Sequence, residues 1–258
     1  MKLNISVFII TKNEAQHLNK TLESVKDMDE VIVVDSGSTD DTLAIAERHG
    51  ATIYEKAWSG YAKQKQYALS LCKHDWVLNL DGDEVINAAL QNALVKVMKK
   101  NKVSSVRFKR NDYFINKLPS ALTKKPNNLR FYKRIEASFD SDTLVHETAK
   151  VIGKELFINE SFTHYGYNDI HALNGKINDY SSLKAQEKFE KGKRSNLVKL
   201  ILVFPVTFIK KYLLQRWVFS GRRGFIKATM DANYAFLKEA KLYECEQLSQ
   251  EKLHNDKK

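Results

Sequence analysis

Four short apolar runs near the N-terminus, "ISVFII", "EVIVVD", "ATIYE" and "WVLNL", are separated by the helical segments "EAQHLNKTLESVKD", "TDDTLAIAERHG" and "GYAKQKQYALSLCK". Apolar runs without polar alternation suit strands covered on both faces, and amphipathic segments between them suit the crossovers of βαβ units. This order predicts a parallel sheet flanked by helices. Local signals agree: Thr39 or Asp40 can cap the second helix, and Gly50 stands where its C-terminal cap falls.

An open α/β sheet binds ligands beyond the carboxyl ends of its strands. The residues there are Thr11 to Glu14, Asp35 to Ser38 and Asp81 to Glu84, three polar clusters expected along one sheet edge. The last of them, "LDGDE", sets Asp81, Asp83 and Glu84 within four positions around Gly82. Like charges this close raise one another's pKa unless something positive lies between them, so the cluster points to a cation.

Downstream of "AALQNALVKVMKKN" the pattern changes to strand-like pieces, "SSVRFKR", "LRFYKR" and "FDSDTLVHETAKV", separated by turn residues, which suits mixed or antiparallel pairing. The tail "EQLSQEKLHNDKK" is polar and reads as frayed or disordered. Lys and Arg outnumber Asp and Glu by 42 to 31, a net charge of +11. That excess favours anionic partners. Much of it lies between Lys191 and Met230, which hold ten Lys or Arg and no acid. Inside this segment "LILVFPVTFI" is apolar for ten residues, about half the roughly 20 that a spanning helix needs. Leu197, Leu200, Ile201, Phe204 and Phe208 recur at helical spacing near basic residues and Trp217, as in helices lying in a membrane interface. A core-packing helix with a solvated basic face is the alternative, and Pro205 is expected to kink either one. Two distant cysteines, Cys72 and Cys245, suggest neither a disulfide framework nor a zinc site, and Cys72 reads as a small buried hydrophobe. The start "MKLNISVFII" reads as a first strand rather than a signal segment, so a cytoplasmic location is expected.

Taken in order, "ISVFIITKNEAQHL", "VIVVDSGSTDDT", "GYAKQKQYAL" and "LNLDGDE" resemble the family 2 GT-A glycosyltransferases, and within them the lipopolysaccharide-core β-1,4-glucosyltransferases. The likeness is firm over roughly the first 100 residues; "VHE" and "SGRRGF" extend a weaker one toward residue 230. It implies an α/β GT-A fold, Rossmann-like and nucleotide-sugar-binding, with a mixed central sheet and a C-terminal helical extension. The implied organisation is a nucleotide-sugar-binding half over 1–102, an acceptor-binding and catalytic half over 103–190, and a basic amphipathic helical extension over 191–258.

The same resemblance implies that Thr11, Glu14 and Asp35 hold uridine, a carboxylate being suited to accept from the uracil N–H. Asp81 would face ribose or metal and Asp83 would bind the ion, Mg²⁺ or Mn²⁺, which takes one or two carboxylates plus substrate phosphates. Gly82 would let the diphosphate approach, and Lys63 and Gln64 border the donor or form a solvated helix face. Inverting transfer also needs a base for the acceptor hydroxyl. The "VHE" segment makes Glu147 the first choice and Asp142 the second, with His146 and His164 as further candidates near the metal. Glu84 departs from a simple ligand role, with pairing to a nearby base as the alternative, and is left unassigned.

The implied reaction is transfer of a hexose, glucose from UDP-glucose, onto a lipopolysaccharide inner-core acceptor. The implied partners are a nucleotide-sugar donor, a lipid-linked saccharide and the anionic cytoplasmic leaflet of the inner membrane. A polyprenol-phosphate sugar transferase would share the donor half. A basic nucleic-acid-binding protein would explain the charge, but the acidic strand ends oppose it. A nicotinamide dehydrogenase is excluded, because no GxGxxG follows the first strand.

Overall fold

The computed structural model describes residues 2–140, 148–167 and 169–255. They form two compact units, Met1–Asp112 with Lys125–Gly166, and Tyr113–Lys124 with Tyr167–Lys258.

The first unit opens with the expected alternation: β1 (Leu3–Thr11), α1 (Ala15–Ser24), β2 (Met28–Asp35), α2 (Thr42–Arg48), β3 (Thr52–Glu55), α3 (Tyr61–Leu71) and β4 (Trp76–Asp81). After β5 (Glu84–Val85) and α4 (Ala88–Lys100) come β6 (Ser105–Phe114), β7 (Asn127–Lys133), the short β8 (Ala137–Ser138) and β9 (Lys150–Val151), and β10 (Glu155–Tyr167). The main sheet has eight strands in the order β3-β2-β1-β4-β7-β6-β10-β5. β1 pairs in parallel with β2 and β4, whereas β7 pairs antiparallel with β4 and with β6, so the sheet is mixed as expected. Its order turns at β1, where the chain crosses from β2 and β3 to β4, and such a switch point is where an open sheet leaves a crevice.

Burial explains the sequence pattern. Ile5, Val7, Phe8 and Ile9 of β1 are wholly buried, with Val7 and Ile9 in one apolar cluster and Phe8 in another on the opposite face. A strand covered on both sides has no polar alternation to show. Cys72 is the expected buried hydrophobe, and burial pushes its thiol up to about 12. Gly50 follows α2 at φ +69°, as a C-terminal glycine cap should. The position before α2 is Asp41, but it is the Asp40 carboxylate that accepts from the Thr42 backbone N–H, at 3.1 Å.

The second unit contains α5 (Ile170–Glu190), α6 (Leu197–Ile209) and α7 (Gly221–Asn255). Leu173 and Ile177 of α5 pack with Phe114 against Met230, Tyr234 and Leu237 of α7. The tail expected to fray is instead helical to Asn255. Its Glu, Gln, Leu and Lys are strong helix formers, and polarity alone had pointed the wrong way. α6 runs through Pro205, and α geometry gives way only after Ile209, in a π-helical turn at Lys210–Leu214. No residue of α6 is buried, so it is not a core helix. The "SGRRGF" stretch has a structural explanation here. A Cβ on Gly224 would lie 1.8 Å from the Trp217 carbonyl oxygen, and Arg223 donates to the backbone carbonyls of Phe114 and Lys117 at 3.2 and 3.1 Å.

Candidate active site

Sheet register assembles the site. Thr11 stands opposite Asp35 across β1 and β2, and Ile10 opposite Asp81 across β1 and β4, so three polar strand ends share one edge. The loops beyond them are tied together. Asn13, at φ +55°, donates its backbone N–H to Ser38 Oγ and accepts at Oδ1 from the Thr39 N–H, both at 2.8 Å. The Glu14 N–H donates to Thr42 Oγ1 at 2.8 Å, which serves an otherwise open donor at the start of α1. Asp35 is buried, and its carboxylate accepts from the backbone N–H groups of Gly37 and Ser38 (2.8 and 2.7 Å) and from Ser38 Oγ.

Thr11 Oγ1 is buried without a hydrogen-bond partner among the described residues. Beside it Gly82 leaves a narrow gap, since a Cβ there would lie 3.1 Å from Glu14 Cγ and 3.5 Å from Thr11 Oγ1. Gln64 is buried, not on a solvated helix face, and its amide donates to Ser36 Oγ and to the Lys56 carbonyl, both at 2.9 Å. Lys63 is exposed. It is Lys65, not named from sequence, that turns inward and meets Asp81 Oδ1 at 3.0 Å.

Lys65 is one of two cations on Asp81. Arg130 of β7 reaches Asp81 Oδ2 and Glu84 Oε1, both at 2.6 Å. Burial alone would push the Asp81 carboxyl up, but Arg130 and Lys65 outweigh it and hold the group well below the usual carboxylate range. For the wholly buried Glu84 the balance falls the other way: burial pushes it up, and Arg130 offsets this only in part. Part of the acidic cluster is therefore neutralised from within. Glu84, left unassigned from sequence, has Arg130 as a cationic partner, and its backbone is fixed by pairing with His164 in β10.

Asp83, for all its place at a strand end, is buried. Its Oδ2 lies 3.4 Å from His164 Nε2, and the other ring nitrogen, Nδ1, lies 3.0 Å from Asp112 Oδ1. Arg110 Nε in turn contacts Asp112 at 2.7 Å. Burial opposes charge on His164, but Asp83 and the bond to Asp112 outweigh it and raise its pKa. Gly166 makes room for the ring: a Cβ there would fall 2.4 Å from His164 Cε1.

Among the described residues no group of three or more His, Cys, Asp or Glu makes a ready metal cage. The donors nonetheless fit Mg²⁺ or Mn²⁺ bound with a diphosphate, which needs one or two carboxylates while phosphate and water complete the shell. His164 also has the form of a metal-binding imidazole, one nitrogen tied to a carboxylate and the other turned to Asp83. Glu147, Asp142 and His146 lie outside the described residues.

Residues 6–159 match the family described as Glycosyl transferase family 2. An uncharacterized glycosyltransferase of Rickettsia felis is 36% identical, the match covering 93% of this chain and 89% of that protein. The lipopolysaccharide core biosynthesis glycosyltransferase LpsC of Rhizobium meliloti is also 36% identical, over 94% of this chain and 93% of its own. Among solved structures, S. aureus TarS 1–349 aligns with 96% of this chain and 92% of that chain at 17% identity and a TM-score of 0.48. Glucosyl-3-phosphoglycerate synthase from Mycobacterium tuberculosis aligns over 41% of this chain and 43% of its own at 25% identity and a TM-score of 0.37.

The chain belongs to glycosyltransferase family 2. It is a glycosyltransferase with a GT-A fold, a mixed central sheet and a C-terminal helical extension.

Proposed function

We propose that the enzyme transfers a hexose with inversion, glucose from UDP-glucose being the expected case, to a lipid-linked lipopolysaccharide inner-core saccharide at the cytoplasmic face of the inner membrane. The observation that carries this reading is the register that sets Thr11, Asp35 and Asp81 on one edge, with Asp83 and His164 just beyond. The similarity to LpsC supports a lipopolysaccharide-core acceptor.

Asp35, already holding its own loop, accepts from the uracil N–H, since a carboxylate has about four acceptor positions. Thr11 supplies a buried hydroxyl without a partner among the described residues, and ligand binding offsets that cost. Glu14 lies beside it, and Gly82 keeps the strand end open to the diphosphate. Asp83 and His164 hold the divalent ion with help from Asp81, and Asp112 fixes the His164 ring. When bound, the ion supplies Lewis-acid stabilisation of the departing diphosphate. Glu147 takes the proton from the acceptor hydroxyl as that oxygen attacks the anomeric carbon from the face opposite the leaving group.

The test is mass spectrometry of delipidated and intact inner-core acceptors after incubation with a panel of UDP-sugars. The acceptor should gain one hexose, and Glu147→Gln should lower kcat by roughly 10²-fold or more at unchanged UDP affinity. Near-normal kcat in Glu147→Gln would move the base elsewhere, and failure to turn over any UDP-sugar would overturn the donor class. A separate variant tests the metal assignment. Gly166→Ala must displace the His164 ring and should weaken Mn²⁺ affinity by about 10-fold or more, read by calorimetry in the presence of UDP. Unchanged affinity would remove His164 from the metal site.

A further inference from the structure

α6 carries large apolar side chains on its outer surface along its whole length. Leu197, Val198, Ile201, Leu202, Val206 and Ile209 are each 49–70% exposed. A helix apolar all round is normally buried, and a contiguous exposed patch of this kind marks an interaction surface. The inner side is already used, since α6 packs along α7 in the same unit. Between the two helices lies an open groove of about 580 Å³ lined by Leu200, Ile201, Phe204, Pro205, Asn233 and Phe236. Among the described residues no helix is long and apolar enough to cross a membrane.

Charge decides what covers the face. Lys199 and Lys211 turn toward α7, pairing with Glu239 at 3.2 Å and Asp231 at 3.1 Å. Lys193, Lys210, Arg216 and Arg222 are exposed around the ends of the apolar stretch. No acid occurs between Lys191 and Met230, so a second copy on this face would bring two purely basic segments together. An anionic lipid surface meets both requirements, apolar chains for the outer face and negative headgroups for its flanks.

We propose that α6 and the π-helical turn after it lie in the plane of an anionic phospholipid surface, with the line from Val198 to Ile209 immersed among acyl chains and Lys210 and Arg222 at the headgroups. Val198 and Ile209 are eleven positions apart, three turns along one side of the helix. This extends the membrane part of the proposed function but is independent of its chemistry. Vesicle binding is measured without donor or acceptor, so failed docking and failed sugar transfer are separate results. Arg223 braces the backbone carbonyls of Phe114 and Lys117, so the proposal rests on Lys210 and Arg222 instead.

The experiment is co-sedimentation of the full chain with vesicles of phosphatidylethanolamine and phosphatidylglycerol, and with phosphatidylcholine alone. The protein should pellet with the anionic vesicles at low salt, leave them as salt rises, and stay in solution with the neutral ones. Lys210→Gln with Arg222→Gln should weaken partitioning by about thirtyfold, a factor of roughly five per cation. Val198→Glu with Ile209→Glu should weaken it by about tenfold or more. Circular dichroism should show both double variants folded, as expected for exposed positions, and the wild-type salt and lipid series tests the proposal without them. Wild type remaining in the supernatant with both vesicle types overturns the proposal, and equal binding to both overturns the anionic requirement. A dimer seen by light scattering that Val198→Glu with Ile209→Glu dissociates, without vesicle binding, gives the face to a second copy instead.

Discussion

Asp83→Asn should lower sugar transfer by a factor on the order of 10³ or more while the protein stays folded. A metal's stabilisation of a leaving diphosphate is several kcal/mol, and each 1.4 kcal/mol is about tenfold in rate. The isosteric amide keeps the shape of this buried side chain and can still hydrogen-bond to His164, so packing changes little while the carboxylate charge disappears. The checks are steady-state rates over a Mn²⁺ series and a thermal melt of each protein. A variant with full turnover, or wild-type turnover unaffected by EDTA, would remove Asp83 from ion binding.

Arg130→Met should produce the largest loss of stability. It leaves Glu84 buried without its cation, whereas Asp81, 35% exposed, keeps Lys65. Removing one partner of a buried pair costs about 3–5 kcal/mol. Since Asp81 remains compensated, the low end is expected, a fall in Tm of roughly 6–12 °C for a chain of this size. The pH dependence follows from Glu84. Burial already raises its folded pKa above the unfolded value, and loss of Arg130 raises it further. The folded variant then holds a proton that the unfolded chain releases, so its stability falls as pH rises toward that folded pKa and the deficit shrinks on acidification. Melting within about 2 °C of wild type at neutral pH would show that Arg130 is not what balances these carboxylates.

What could be read from sequence divides along physical lines. β1 to β4 and the helices between them are legible because fully buried strands must be apolar throughout and their crossovers amphipathic. The edge carrying Thr11, Asp35 and Asp81 follows from that order alone. Lys65 was missed because α3 presents Lys63 and Lys65 on a weakly amphipathic surface, and only a partner on β4 selects which one turns inward. Arg130 was missed for a topological reason: that "LRFYKR" forms β7 beside β4 is set by an antiparallel crossover, which residue pattern does not encode. The Asp112–His164 contact joins β6 and β10, distant in sequence, and no local signal announces it. In the second unit, length and charge defined the α6 segment, but a core helix and an interfacial helix share one periodicity. The structure adds that no residue of α6 is buried.

The central claim, a nucleotide diphosphate and a divalent ion held together at the edge where β1, β2 and β4 end, is tested most directly by calorimetric titration of UDP into the wild-type protein with Mn²⁺ and with EDTA. Binding should be strong with the ion, weaker by about tenfold or more without it, and insensitive to Mn²⁺ in Asp83→Asn, because the ion links the carboxylate to the phosphates. UDP affinity that is the same in Mn²⁺ and EDTA, or absent in both, would contradict the account.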